Sequence, residues 1–215
     1  MLASRTRHIS QAFTLIEMIA VIVIIACLAV VTVPAFVKLT KGQGVSLGVR
    51  TVNSKLNMCR DYAITKRDRV ALLMPRADVG DNCFRCYRAC IVDSSNTFVK
   101  WIPGENWGIL DQGSAIMEAD TDAGVTFGSG NQDPQDGTYL QVNNVDLAGA
   151  GASAGAKNGV RAVIFKSTGM LASTDNIYVT IGEGAVQGGT FTCTNTSNKL
   201  ELIVDKFTGR ISYNE

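Results

Sequence analysis

The sequence is nearly without histidine. Its single imidazole, His8, stands close to the N-terminus, so the remainder of the chain has no histidine to serve as general base for a serine or cysteine nucleophile. Lysine or carboxylate chemistry stays open. Charge imbalance is also lacking: 20 Lys and Arg stand against 19 Asp and Glu. No basic field therefore marks nucleic acid or an anionic membrane as an obligatory partner. The glycine-rich stretch 182–189 (GEGAVQGG) has no P-loop lysine and no helical pattern behind it, and it reads as a turn. The acidic stretch at Glu118, Asp120 and Asp122 lacks the spaced acceptors and terminal glutamate of a calcium loop. Catalytic residues, metal sites and cofactors are accordingly expected to be none.

What the sequence does have is one long apolar run. Residues 13–37, FTLIEMIAVIVIIACLAVVTVPAFV, carry a single charge, Glu17, and follow the basic residues Arg5, Arg7 and His8. As a helix rising about 1.5 Å per residue, this run is long enough for the roughly 30 Å hydrocarbon core of a bilayer. Helix is also the only form a lone spanning segment takes, because each unpaired peptide group costs several kcal/mol in lipid. Basic residues without acidic ones before the run predict a cytoplasmic N-terminus and a large domain across the membrane, in the periplasm of a bacterium. Two details depart from a plain anchor. Glu17 places a carboxylate where ionisable groups are costly and usually functional, and the small residue Ala12 precedes the run, whereas a signal peptide has its cleavage site after it. A cut at Ala12 leaves the hydrophobic helix on the mature chain.

At A-F-T-L-I-E, residues 12–17, followed by an apolar helix containing Pro34, the chain resembles the type IV pilin and type II secretion pseudopilin superfamily. The resemblance implies cleavage by prepilin peptidase between Ala12 and Phe13, N-methylation of Phe13, and a Glu17 that neutralises the N-terminus of a neighbouring subunit during assembly. Most members have glycine where Ala12 stands. Implied partners are other pilin or pseudopilin subunits, prepilin peptidase and the inner membrane. Near the C-terminus, LELIV (200–204) followed by FTGRI (207–211) is similar to the closing hairpin of GspH/FimT-type minor pseudopilins. In some relatives a G-R-x-R ending contributes to DNA capture, which would make Lys206 and Arg210 phosphate contacts. Here Ser212 replaces the second arginine, and a structural role for Arg210 at the hairpin end is preferred.

The segment 38–68 reads as the amphipathic continuation of the helix. Gly42, Gly44 and Gly48 weaken its first part and make that part the most easily bent. Beyond them Val45, Val49, Val52, Leu56, Cys59 and Ala63 fall on one helical stripe facing a core. From residue 69 the period changes to short β-like runs at 70–74, 87–92, 97–102, 114–117, 138–142, 160–166, 176–181, 199–204 and 210–213. One helix followed by strands argues for an α+β domain in which the helix packs on antiparallel sheet. The expected organisation is thus a leader at 1–12, an assembly helix at 13–37, its amphipathic continuation at 38–68 and a β-rich domain at 69–215. Residues 103–108 form a compact turn with Trp101 and Trp107 beside it. The glycine-rich segments 128–137 and 147–159 cannot offset their ordering entropy and are expected to be mobile.

Cysteine is the remaining chemistry. Cys27 lies in the apolar run and Cys59, Cys83, Cys86, Cys90 and Cys193 lie beyond it. In an oxidising compartment their default fate is disulfide. A zinc site on Cys83, Cys86 and Cys90 with Cys59 as fourth thiolate, or a redox pair, stays open, although no second CxxC and no downstream histidine supports either. Cys86 and Cys90 on one strand would have Cα atoms about 13 Å apart, too far for a bond. Cys83 with Cys86, or either strand cysteine with Cys59 or Cys193, remains possible. The reading is a non-enzymatic minor pilin or pseudopilin, with a major pilin, a DNA-binding competence pilin and a cysteine-based redox protein as alternatives.

Overall fold

The computed structural model describes residues 15–76, 78–117, 126–127, 139–152 and 155–214, without the side chains of 31–42, 126–127 and 214. Among the described residues the first element is the helix α1 (Leu15–Lys66). Arg67, in the left-handed conformation at φ 57°, ends it, as a C-terminal cap does. The chain divides into two units, residues 1–40 and 41–215. In the first unit every described side chain, residues 15–30, is exposed.

The second unit joins helix residues 41–66 to the strands β1 (Arg69–Leu73), β2 (Cys86–Val92), β3 (Phe98–Trp101), β4 (Gly108–Ile109), β5 (Ser114–Met117), β6 (Thr126–Phe127), β7 (Leu140–Val142), β8 (Val145–Asp146), β9 (Ala156–Lys157), β10 (Val160–Phe165), β11 (Ile177–Gln187), β12 (Thr190–Val204) and β13 (Ile211–Asn214). A first sheet runs β3-β2-β1-β10-β7 with β4 on β2, and a second runs β13-β12-β11-β5 with β6 on β12. Every strand pair is antiparallel. The architecture is the α+β arrangement of a helix packed on antiparallel sheet.

Strand alternation builds two cores. On β1, Val70 and Leu72 join the helix stripe Val45, Val49, Val52, Leu56, Cys59 and Ala63, together with Ile116, Val179, Ile181 and Leu202. Ala71 and Leu73 point the other way, into a second core with Phe84, Cys86, Cys90, Leu147, Ala150 and Phe191. The first sheet is therefore covered on both faces, which accounts for its near-continuous apolar strands.

The helix continues through the glycines at 42, 44 and 48, as the reading of 38–68 as helix expects, while two other expectations are corrected. Gly48 is a close approach to the second sheet, since a Cβ there would come within 3.3 Å of Ile181 Cγ2. The stretch 182–189 is mostly strand: β11 runs to Gln187, and only Gly188 and Gly189 turn. Gly182 and Gly184 stay in the strand because the side chains of Met117 and Phe191 fill the space a Cβ would need. Residues 147–152 are pinned. Leu147 and Ala150 are buried in the second core, and Asn82 Nδ2 donates to the Ala150 carbonyl at 2.7 Å. Burial and hydrogen bonds there offset the ordering entropy that composition alone charged to the segment. Residues 128–137 and the acidic residues Glu118, Asp120 and Asp122 lie outside the described residues.

Candidate functional site

The N-terminal motif divides at the start of α1. Ala12 and Phe13 lie outside the described residues. Glu17 sits in the first turn of the helix and is exposed, where a carboxylate suits the positive end of the helix dipole. Pro34 falls within the helix span, and its side chain is outside those described. From Leu15, 80% exposed, to Val30, 75% exposed, the large apolar side chains occur all round the helix. A helix that is apolar on every side requires lipid or other helices around it. Among the described residues no helix is long and apolar enough to cross a membrane. Described side chains of the run, 15–30, extend about 24 Å, short of the roughly 30 Å hydrocarbon core.

The cysteines sort by sheet face. Cys59 lies on the helix stripe in the first core. Cys83, Cys86, Cys90 and Cys193 lie in the second core, across the first sheet. All six cysteines, Cys27 included, are free thiols in this structure. Cys86 and Cys90 share β2, which removes pairing between them. Burial pushes the Cys86 and Cys90 thiols up to about 12 and raises Cys83 and Cys59 as well. Buried thiols held protonated are poor nucleophiles. The zinc set with Cys59 as fourth ligand is not assembled, because the sheet intervenes, and among the described residues no group of three metal-ligating side chains converges.

The C-terminal hairpin turn is built by Asp205. Its carboxylate accepts from the amides of Phe207 and Thr208 and from the Thr208 hydroxyl, at 3.1, 2.8 and 2.8 Å. Those bonds to Thr208 hold the Asp205 carboxyl below the usual range. Gly209, at φ 61°, donates to the Asp205 carbonyl at 2.7 Å, and Arg60 of α1 reaches the Thr208 carbonyl at 3.1 Å. Of the two candidate phosphate contacts, Lys206 faces Asp175 at 3.7 Å, while Arg210 is exposed and its carbonyl accepts from the Asp205 amide. Lys206 is thus partly neutralised. Proximity of the two along the turn is all the structure supplies for a phosphate site.

One latch escaped the sequence reading. Lys55 of α1 pairs with Glu105 at 2.6 Å. Arg88 donates to the Glu105 carbonyl at 2.9 Å and lies 3.9 Å over the Trp101 ring. Trp101 and Trp107 meet edge to face at 5.5 Å, as expected for the turn at 103–108. The tryptophans marked the place, but nothing in the sequence linked Lys55 to Glu105 fifty residues on.

Residues 7–33 match the family described as the prokaryotic N-terminal methylation motif. Comparison with curated proteins finds no match. Among solved structures, the chain is similar to the type IV minor pilin FimU of Pseudomonas aeruginosa, strain PAO1, at 12% identity over 82% of this chain and 92% of that one, with a TM-score of 0.43. A second crystal form of the same minor pilin gives 12% identity over 79% and 92%, with a TM-score of 0.39.

Proposed function

We propose that this chain is a non-enzymatic structural subunit, a minor pilin or pseudopilin of the GspH/FimT type, assembled through α1 into a type IV pilus or type II secretion pseudopilus. The observation that carries the reading is the methylation motif over residues 7–33, within which the described apolar helix side chains, from Leu15 to Val30, are exposed all round. Prepilin peptidase cuts between Ala12 and Phe13, and the new amino group is methylated. Phe13 and Glu17 are four residues apart, about one helical turn. In an apolar medium the ammonium and the carboxylate each favour an opposite charge. A neighbouring subunit, staggered along the axis, supplies it. The inner membrane holds the helix until the fibre takes its place, with the domain on the periplasmic side.

Intact mass of the chain recovered from membranes tests this reading. With active prepilin peptidase, the mature species is expected to begin at Phe13 and to carry one added methyl group. A chain retaining residues 1–12 under those conditions would refute it. Glu17→Gln separates assembly from processing: the variant is expected to be cut normally yet to be depleted from sheared fibres.

A further inference from the structure

The two outer strands of the first sheet, β3 and β7, meet at one end. Just past β7, the Asn143 amide donates to the Asn96 carbonyl at 3.1 Å, and the Asn143 carbonyl accepts from the Phe98 amide at 2.9 Å. A parallel bridge from Thr97 to Asn143 thus joins the two edges. Asn143 also holds the turn between β9 and β10. Its Oδ1 accepts from the Gly159 amide at 3.0 Å, while the neighbouring Asn144 amide donates to Asn158 Oδ1 at 2.9 Å. Gly159 has φ 74°, a left-handed position that favours glycine. Asn158 is exposed to water, and it is the one asparagine of the sequence that glycine follows.

We propose that Asn158 and Gly159 form a spontaneous deamidation site, which Asn143 keeps closed in the folded chain. No outside group has to be brought near, because the Gly159 nitrogen is already joined to Asn158 and glycine carries no Cβ to shield it. The Gly159 amide loses its proton to water or hydroxide, and its nitrogen attacks Asn158 Cγ. Charge builds on Oδ1, the Cγ–Nδ2 bond breaks, and the nitrogen leaves as ammonia after taking a proton from water. One water then opens the resulting succinimide at either carbonyl. The sum is asparagine plus water giving an aspartyl or isoaspartyl residue plus ammonia, with nothing oxidised or reduced.

The two contacts to this turn act in opposite senses. Asn144 points its N–H at the oxygen on which charge develops, the arrangement that stabilises an oxyanion. Asn143 accepts the very proton that must be lost, and it holds the attacking nitrogen away from Cγ. Attack requires the Asn143 bond to break and leaves the Asn144 bond intact, so the block prevails while the turn is folded. One hydrogen bond of ordinary strength lowers the open fraction roughly two- to tenfold, and the seam bonds to Asn96 and Phe98 hold Asn143 itself in place. An isoaspartyl product inserts a methylene into the backbone before Gly159. It draws the Gly159 amide off Asn143 and loosens the residue that ties β3 to β7.

Endoproteinase Lys-C releases the site as the single peptide 158–166, between Lys157 and Lys166. The full-length chain in detergent micelles is held at mildly alkaline pH, either folded or in guanidinium chloride, and is then digested in heavy-oxygen water, which marks any conversion during digestion. Mass spectrometry follows the exchange of NH2 for OH in 158–166, and chromatography separates the aspartyl and isoaspartyl forms. Folded wild type is expected to convert about fivefold or more slowly than the denatured chain. Folded Asn143→Ala is expected to convert several-fold faster than folded wild type. Equal rates for folded and denatured wild type would overturn the proposal, and this comparison decides alone if the variant fails to fold. An Asn143→Ala chain that keeps its unfolding midpoint yet converts no faster than wild type would also overturn it. Hydrogen exchange at the Phe98 amide should quicken in isoaspartyl chains, and unchanged exchange would refute the link to the seam.

Discussion

Replacing Gly209 by alanine should destabilise the domain far more than the same change at Gly188. Both glycines are left-handed, at φ 61° and 58°, so both substitutions incur the conformational penalty of about 1–2 kcal/mol that an L side chain carries there. The space around them differs. A Cβ on Gly188 would meet nothing within 4 Å, whereas one on Gly209 would fall closer than 3.0 Å to the Gly169 carbonyl oxygen. That oxygen is backbone and cannot rotate aside. The hairpin turn must lift from the 166–170 turn, straining the Leu171 amide bond to Lys206 O at 3.2 Å and the Arg60 bond to Thr208 O at 3.1 Å. Two weakened hydrogen bonds at roughly 0.5–1.5 kcal/mol each add about 1–3 kcal/mol, so Gly209→Ala should cost about 3 kcal/mol and Gly188→Ala about 1 kcal/mol.

Urea unfolding of the full chain in micelles, followed by the fluorescence of Trp101 and Trp107, reads both values. The midpoint should fall further for Gly209→Ala at an unchanged slope. Equal losses at the two sites, within about 0.5 kcal/mol, would show that the hairpin does not dock on the 166–170 turn and would refute the contact.

Leu56→Ala, at a fully buried position on the helix stripe, should cost about 2–5 kcal/mol in the same unfolding measurement. Asp205→Asn keeps an oxygen for the turn amides but removes the charge. The folded carboxyl lies below its ordinary 3.8, so its contribution is present above that value and is lost as pH falls through the lower folded one. Wild type should therefore lose stability below about pH 4 more steeply than Asp205→Asn when midpoints are compared across acid pH. Cys90, with its thiol pushed up to about 12, should resist iodoacetamide at pH 8 in the folded chain and be labelled only as fast as the domain opens, read by time-resolved mass spectrometry.

In the first sheet β1, β2, β3, β7 and β10 were legible because their apolar, β-branched runs are local, whereas the two-residue β4 was not. The ends of β11 and β12 were not. Gly182 and Gly184 look like turn residues until Met117 and Phe191 are seen to occupy the missing side-chain volume. Residues 194–199, TNTSNK, have no apolar alternation because this part of β12 is largely exposed, so the period-two signal vanishes where both faces meet water. Which cysteines share a face was likewise hidden, since a one-residue change of register would exchange the two cores. The N-terminal motif lay open in the sequence because it is a continuous segment whose chemistry needs no tertiary contact to be recognised.

Gly44 and Gly48 show how the fold settles a local conflict. Each costs about 1 kcal/mol of helix propensity, and sequence alone reads them as weak points. Without their side chains, α1 approaches β5 and β11 closely enough to bury Val45, Val49 and Val52 completely or nearly so. Burying each valine contributes about 1.5–3 kcal/mol relative to exposure. Together the three exceed the two glycine penalties, so close packing wins over propensity. The same residues fix what the second unit is built around. The stripe from Val45 to Ala63 forms one wall of the first core, and Arg60 and Lys55 fasten the hairpin turn and the 103–107 turn to the same helix. In the proposed assembly, intersubunit packing begins on the exposed apolar residues of α1, and its later turns already hold the folded domain. The helix thus forms one wall of the core of one unit and the proposed contact surface of the other.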